Sequence, residues 1–471
     1  MPTAPTEDLR FAGLEALAER LADGTVSSTR LVGDALARVT ATQPTLNAFR
    51  RVRADAALAE AAEADRRLAA GERGPLLGVP IAVKDDMHVA GEPTAFGCAG
   101  DFPVQLVDCE LVRLLKAAGA VIVGKTNTPE FGQWPVTEGE AFGVTRNPWH
   151  TGYTPGGSSG GSAVAVAAGV VPAAVGSDGA GSIRIPAAWN HLVGIKPQRG
   201  RLSALPDIEL FNGITTSGPL ARTVADAALL LDVLAGHHDG SRPGGVFRAA
   251  AGREPGRLRI ALSLRPAWGG VRRGRPDAEV VAGVRRIVTA LTALGHEVVR
   301  DEPDYGPIGL NFLPRSLAGV TDWCGQVPDQ ALLDPRTRGN GNVGRWLRGP
   351  ALRLSRSTLG IFQRRVGRIF DRVDVVLAPT TAKPPLPIGA IDGLRGWQTD
   401  RLMIDACPYA WPWNVLGWPA LNIPAGLTGV GLPVGVQLLG PADGEELLIS
   451  LAAQLEGVRR WQEHTPPYRI P

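Results

Sequence analysis

The sequence predicts an α/β fold, a large sheet with helices on both faces. Three observations carry that prediction. Short apolar runs such as Gly78-Val-Pro-Ile-Ala-Val83 alternate with helical stretches along the chain, the pattern of a sheet covered on both sides. The 471 residues are 44% hydrophobic and 20% charged, so there is enough apolar surface to offset chain entropy and disorder is excluded. The 59 glycines and 39 prolines follow no G-X-Y period, which excludes collagen and points to many tight turns.

Residues 7–70 read as helices. Leu14, Leu17 and Leu21 keep a helical period, Ser27 or Ser28 can cap a second helix carrying Leu31, Leu36 and Val39, and 53–70 is Ala-rich. Gly78–Val83 reads as a strand ending at Lys84. Asp108 is expected to cap a helix to about Ala118, before a strand over Ala120–Val123. A small-residue helix over Ser162–Ala168, a strand over Val170–Val175 and a helix over 223–235 follow. Arg259–Leu264, Asp277–Leu294 and Glu297–Val299 read as strand, helix and strand. Val373–Leu377, Leu421–Ile423 and Val434–Leu439 complete the strands, and Asp443 is expected to cap a last helix to about Leu455. The irregular stretches 236–256 and 328–350 read as surface insertions.

Net charge is +3 on 49 basic and 46 acidic residues, a balance that argues against a dedicated nucleic-acid binder. Only Lys84, Lys116, Lys125, Lys196 and Lys383 are lysines, the other 44 basic residues being arginine. Residues 336–372 hold ten arginines against one acid, Asp371. We read them as a solvated helix face, with an anionic partner or substrate as the functional alternative. Cys98, Cys109, Cys324 and Cys407 show no metal or disulfide spacing. Met1–Arg10 has no apolar core, and the run Gly161–Gly176 is too short to span a bilayer. A soluble cytoplasmic protein is expected.

Two motifs match by letter and fail by physics. Gly119-Ala-Val-Ile-Val-Gly124-Lys125-Thr126 fits a P-loop. A phosphate cradle needs a loop there, whereas Ala-Val-Ile-Val prefers a strand. Gly156-Gly-Ser158-Ser-Gly160 fits the nucleophile elbow of serine hydrolases, but Thr154-Pro155 upstream is poor strand material. His191, His237, His238, His296 and His464 follow it, so that alternative stays open. No His pair has ligand spacing, so no metal site is expected.

Three segments converge on another chemistry. Lys84 ends a fully apolar strand before Asp85 and Asp86. Burial would lower its pKa toward that of a general base, and the carboxylates would oppose this. Thr154-Pro-Gly-Gly-Ser158-Ser159-Gly160-Gly161-Ser162 sets hydroxyls and bare backbone in one tight loop beside a helix start. Gly176-Ser-Asp178-Gly179-Ala180-Gly181-Ser182-Ile-Arg184-Ile-Pro186 presents successive N–H groups before a helix, the geometry of an oxyanion hole.

Together these segments resemble the amidase signature family. The match covers about 76–222 and returns more weakly at 373–381 and 410–456; Gly124–Asn127, Asn147–Trp149 and Gly194–Pro197 also fit. The resemblance implies a large mixed β-sheet core and a Ser–cis-Ser–Lys triad. In it Lys84 is the base, Ser158 the bridging serine and Ser182 the nucleophile, the two serines 24 residues apart. The N–H groups of Gly179, Ala180, Gly181 and Ser182 take the oxyanion position. Gly179 and Ala180 depart from the usual Asp-Thr-Gly-Gly-Ser loop, standing in place of Thr and Gly, and if the alanine site needs positive φ the methyl costs about 1 kcal/mol.

The implied reaction is hydrolysis of a linear or cyclic amide without cofactor or metal. The expected partner is a small-molecule amide, with no nucleic acid or membrane and a homodimer as the candidate assembly. The alternatives are the amidase subunit of a tRNA-dependent amidotransferase and the elbow hydrolase using Ser158. The whole chain, 1–471, is expected to be one domain with helices at 7–70 and a variable, substrate-shaping region at about 236–420. In that region Trp397, Tyr409, Trp411, Trp413 and Trp418 cluster. Trp411 and Trp413 are the candidate pocket residues for an apolar or aryl substrate, with Trp323 and Cys324 as the other candidates.

Overall fold

A computed structural model describes residues 8–237, 245–267 and 275–470. The expected irregular stretch 236–256 and the N-terminal reading of Met1–Arg10 fall partly outside them. The chain opens with α1 (Leu14–Ala22), α2 (Ser28–Leu46), β1 (Phe49–Val52), α3 (Ala54–Ala69), β2 (Pro80–Lys84), α4 (Glu110–Ala117) and β3 (Val121–Thr126). A hairpin of β4 (Glu138–Gly139) and β5 (Gly143–Val144) precedes α5 (Gly160–Ala167), β6 (Ala173–Asp178), α6 (Arg184–Trp189), β7 (Val193–Lys196), β8 (Thr216–Ala221) and α7 (Val224–Leu234). Next come α8 (Val246–Ala250), β9 (Arg259–Leu262), α9 (Ala278–Ala293) and β10 (Glu297–Arg300). A helical run follows: α10 (Gly309–Cys324), α11 (Pro335–Leu347), α12 (Pro350–Ser357) and α13 (Leu359–Gly367). The last elements are β11 (Val375–Pro379), α14 (Gly396–Ala406), α15 (Pro412–Leu416), β12 (Ala420–Leu427), β13 (Pro433–Leu439) and α16 (Glu445–Arg459).

Eleven strands form one sheet in the order β1-β3-β2-β6-β8-β7-β12-β13-β11-β9-β10. It is mixed: β2 runs parallel to β3 and β6, whereas β8 lies antiparallel between β6 and β7. Side chains alternate across it, as the two-residue period of a strand requires. Ile81, Val83, Ile122 and Val175 face a core shared with α1, α4, α7, α9 and α16. Ala82, Val121, Val123 and Ala174 face another shared with α2, α3 and α5. Both faces are therefore covered, as the sequence predicts. No helix among the described residues is long and apolar enough to cross a membrane.

Several local expectations are corrected. Ser27 caps α2, while Ser28 instead donates to Gly78 O. Asp108 does not cap α4; its carboxylate accepts from Ala90 N and Lys116 Nζ. Asp443 does not cap α16, because Gly444 holds the N-cap and Asp443 accepts from Gln198 and Arg201. Residues 53–70 hold α3, but Phe49–Val52 before it is a strand. The stretch 328–350 is not an insertion loop, since α11 fills most of it and packs on α10. The reading of 336–372 as a solvated helix face, by contrast, agrees with the structure: nine of its ten arginines are exposed, and Arg336 pairs with Asp334, Arg348 with Asp322, Arg356 with Glu209, Arg365 with Asp304 and Arg372 with Asp301.

Candidate active site

The register of β2 against β6, Val83 opposite Val175, brings Lys84 beside the end of β6. Lys84 is fully buried, and its Nζ lies 2.7 Å from Ser158 Oγ and 2.7 Å from Ser177 Oγ. Ser177 O–H donates to Asp86 Oδ2 at 2.5 Å, and that oxygen is 3.3 Å from Nζ. Burial pushes the Lys84 pKa down, and Asp86 and Asp178 pull against it. Asp85 turns the other way, to Lys125 at 2.8 Å and Arg50 at 3.5 Å. Lys125 also donates to Thr94 Oγ1 and Pro93 O from inside the buried strand β3. The P-loop string is thus a strand, with its lysine held in an ion pair.

Ser158 sits on an irregular loop after a cis Gly157–Ser158 peptide, so no strand runs into an elbow. Ser159 N–H donates to Ser182 O at 3.1 Å, tying this loop to the turn between β6 and α6. In that turn the buried Asp178 carboxylate accepts from Gly181, Ile183 and Arg184 N–H and from the Arg184 side chain. Burial alone would raise Asp178, but Arg184, Lys196 and Asn414 hold it well below the usual carboxylate range. The Gly181 N–H is therefore committed to Asp178, which corrects its expected place among the oxyanion donors. Among the described residues, the N–H groups of Gly179, Ala180 and Ser182 donate to no protein acceptor. Positive φ falls on Gly181, at 116°, and not on Ala180, so the alanine brings no backbone strain. A Cβ at Gly181 would lie 2.6 Å from Ala410 Cβ.

These groups open onto a cleft of about 210 Å³. Lys84, Ser158, Ser177, Gly179, Ala180 and Ser182 form its floor. Its walls are mainly apolar, with Trp323 packed among Phe96, Phe131 and Phe211 on one side and Trp411 against Phe312 on another. The other two candidate pocket residues lie elsewhere. Trp413 is fully buried against Tyr305 and Trp418 and donates to Gly440 O. Cys324 sits behind the wall in a buried cluster with Cys98 and Leu333. Glu130, on the turn after β3, accepts from Asp334 N–H with both oxygens at 3.0 Å, and Asp334 caps α11. Ser177 is not legible in the sequence, because a strand serine gives no signal of its own.

Residues 30–449 match the family described as Amidase. The chain belongs to the amidase signature family. This amidase is 56% identical over 461 residues to "Putative amidase AmiA2" of Mycobacterium tuberculosis, covering 97% of this chain and 95% of that one. It is similar to the solved 6-aminohexanoate cyclic dimer hydrolase, with a TM-score of 0.85, 30% identity and coverage of 98% and 99%. It is also similar to a bacterial aryl acylamidase, with a TM-score of 0.83, 25% identity and coverage of 96% and 97%.

Proposed function

We propose that this amidase hydrolyses a carboxylic amide with an apolar acyl or amine group through an acyl-enzyme on Ser182. The observation that carries the reading is the buried Lys84 Nζ, 2.7 Å from Ser158 Oγ, on the cleft floor that also holds Ser182 and three uncommitted N–H groups.

The chemistry follows from that arrangement. Ser177 O–H donates a hydrogen bond to Asp86 and its oxygen accepts one from a Lys84 N–H. The lone pair of a neutral Lys84 is then left for the Ser158 proton. Ser182 Oγ attacks the amide carbonyl carbon as its proton passes to Ser158 Oγ, and the Ser158 proton passes to Lys84 Nζ. The N–H groups of Gly179, Ala180 and Ser182 receive the oxyanion, each donor contributing about 3 kcal/mol in comparable sites. Collapse breaks the C–N bond, and the leaving nitrogen takes a proton from Ser158, which Lys84 replaces. Water then cleaves the Ser182 ester by the same relay, releasing the acid.

The substrate reading rests on the walls. Phe96, Phe131, Phe211, Trp323 and Trp411 favour an aryl or medium alkyl group, in keeping with the name of the aryl acylamidase it resembles. The test is a fluorophosphonate probe followed by peptide mapping, together with a panel of aryl, alkyl and short primary amides. Label on Ser182, lost in Ser182→Ala, with aryl amides ahead of acetamide by about tenfold in kcat/KM, is expected. Label on Ser158 overturns the relay, and acetamide as the best substrate overturns the apolar reading.

A further inference from the structure

Away from the catalytic floor, the mainly apolar walls of the cleft carry a cluster of polar side chains at one corner. There Gln133 and Trp134, from the turn after β3, meet Asn340 of α11 and Asp400 of α14. The corner is tied together. Gln133 Nε2 donates to Thr337 Oγ1 at 3.0 Å, and Asn340 Nδ2 donates to Gln133 Oε1 at 3.2 Å. Trp134 Nε1 donates to Asp400 Oδ1 at 3.1 Å. Asn340 lines the same corner of the cleft. The carboxylate is thus held in position by the neutral Trp134 N–H.

Charge around it is one-sided. The charged residues lining the cleft are Lys84, Asp86 and Asp400. Lys84 already sits against Asp86, Ser158 and Ser177. Arg336 stacks on the Trp134 ring and is paired with Asp334. Among the described residues no Lys, Arg or His forms an ion pair with Asp400. A part-buried carboxylate with no cation of its own, on the wall of an apolar cavity, repels a second carboxylate and attracts an ammonium.

We propose that Asp400 is a specificity-determining residue that selects amides carrying an ammonium or other hydrogen-bond donor group at that corner, and rejects amides carrying a carboxylate. The proposal rests on the amidase mechanism above and narrows its substrate class. An amide with an apolar body and a cationic end satisfies both the aromatic walls and the acid.

The experiment uses two matched series on the full-length enzyme. One is phenylacetamide with its para-aminomethyl and para-carboxymethyl derivatives, which places the charge on the acyl side. The other is acetanilide with the same substituents, which places it on the amine side. In wild type, the ammonium member of at least one series should exceed the carboxylate member by about a hundredfold in kcat/KM. Asp400→Asn keeps an acceptor for Trp134 and removes the charge, and should compress that ratio to about tenfold or less. A carboxylate member handled as well as the ammonium one in both series overturns the proposal from wild type alone, whether or not the variant folds. A ratio unchanged in an Asp400→Asn enzyme that still labels at Ser182 overturns it too. In both outcomes hydrolysis of the neutral members leaves the amidase mechanism standing. If no member is hydrolysed and Ser182 takes no label, the mechanism falls and the inference with it.

Discussion

Asp86→Asn should move the acid limb of the pH–activity profile downward. The carboxylate oxygen lies 3.3 Å from Lys84 Nζ and stabilises the ammonium form. At that distance two unit charges interact by about 1 kcal/mol in a water-like medium and about 5 kcal/mol at an effective dielectric near 20. The Asp86 side chain is 24% exposed, which places the effect in the lower half of that range. With about 1.4 kcal/mol per pKa unit, the shift is roughly 1 to 2 units. Its sign follows from the base. Removing the anion lowers the Lys84 pKa below its wild-type value, so the neutral amine persists at lower pH. Asparagine keeps an oxygen to accept from Ser177, so the geometry around Nζ is retained. The assay is kcat/KM against pH on a chromogenic anilide, wild type beside variant. A midpoint that stays in place or rises would refute the assignment of Lys84 as the base whose titration limits activity at low pH.

Lys84→Arg keeps a cation that cannot deprotonate, so turnover should fall by about 1,000-fold, to the level of Lys84→Ala; an active arginine variant in an ammonia-release assay contradicts the relay. Gly181→Ala places a methyl 2.6 Å from Ala410 Cβ at a φ of 116°. It should lower stability by about 1 to 3 kcal/mol in urea titrations and abolish Ser182 labelling. Trp413→Ala should cost about 3 to 5 kcal/mol and leave the ranking of substrates as it is, because its ring fills the core. Trp411→Ala should instead change the aryl-to-alkyl ratio of kcat/KM by about tenfold, read on the same panel.

Legibility in the sequence followed burial. Strands whose residues are almost all apolar on both faces, such as β2, β11 and β13, stand out as runs. β8 does not. Its sequence Thr-Ser-Gly-Pro-Leu-Ala carries Gly218 and Pro219, which local propensity places in turns, yet it lies in mid-sheet between β6 and β7. β1 reads as polar because Phe-Arg-Arg-Val pairs with only one neighbour and leaves Arg51 and Val52 exposed. α11 has three glycines within its span, a composition that reads as loop. One of them is where two helices touch, since a Cβ at Gly344 would fall 1.9 Å from Leu317 O. Packing decides there, and packing partners far along the chain leave no local mark. The same limit applied to the site. Lys84, Ser158 and Ser182 lie in short, unusual strings of sequence. Ser177, Asn340 and Asp400 acquire meaning only from what the fold brings beside them. Of the aromatic cluster at 397–418, composition could not separate Trp411, on the cleft, from Trp413, in the core.

The cleft has two kinds of wall, with different freedom to change. Its floor is strand ends and tight loops, where a single added methyl collides. Its far side is helices α10, α11 and α14, joined to one another more than to the sheet. A lineage can therefore trade the helical side for another and keep the hydrolytic floor. Glu130 is the seam at which such an exchange must be matched. It reaches from the turn after β3 to the N-cap of α11, and its neighbour Phe131 lines the cavity. A transplanted helical wall that lacks a backbone N–H at the position of Asp334 would strand that buried carboxylate. Grafts between relatives should succeed when this one bond is carried across with the helices.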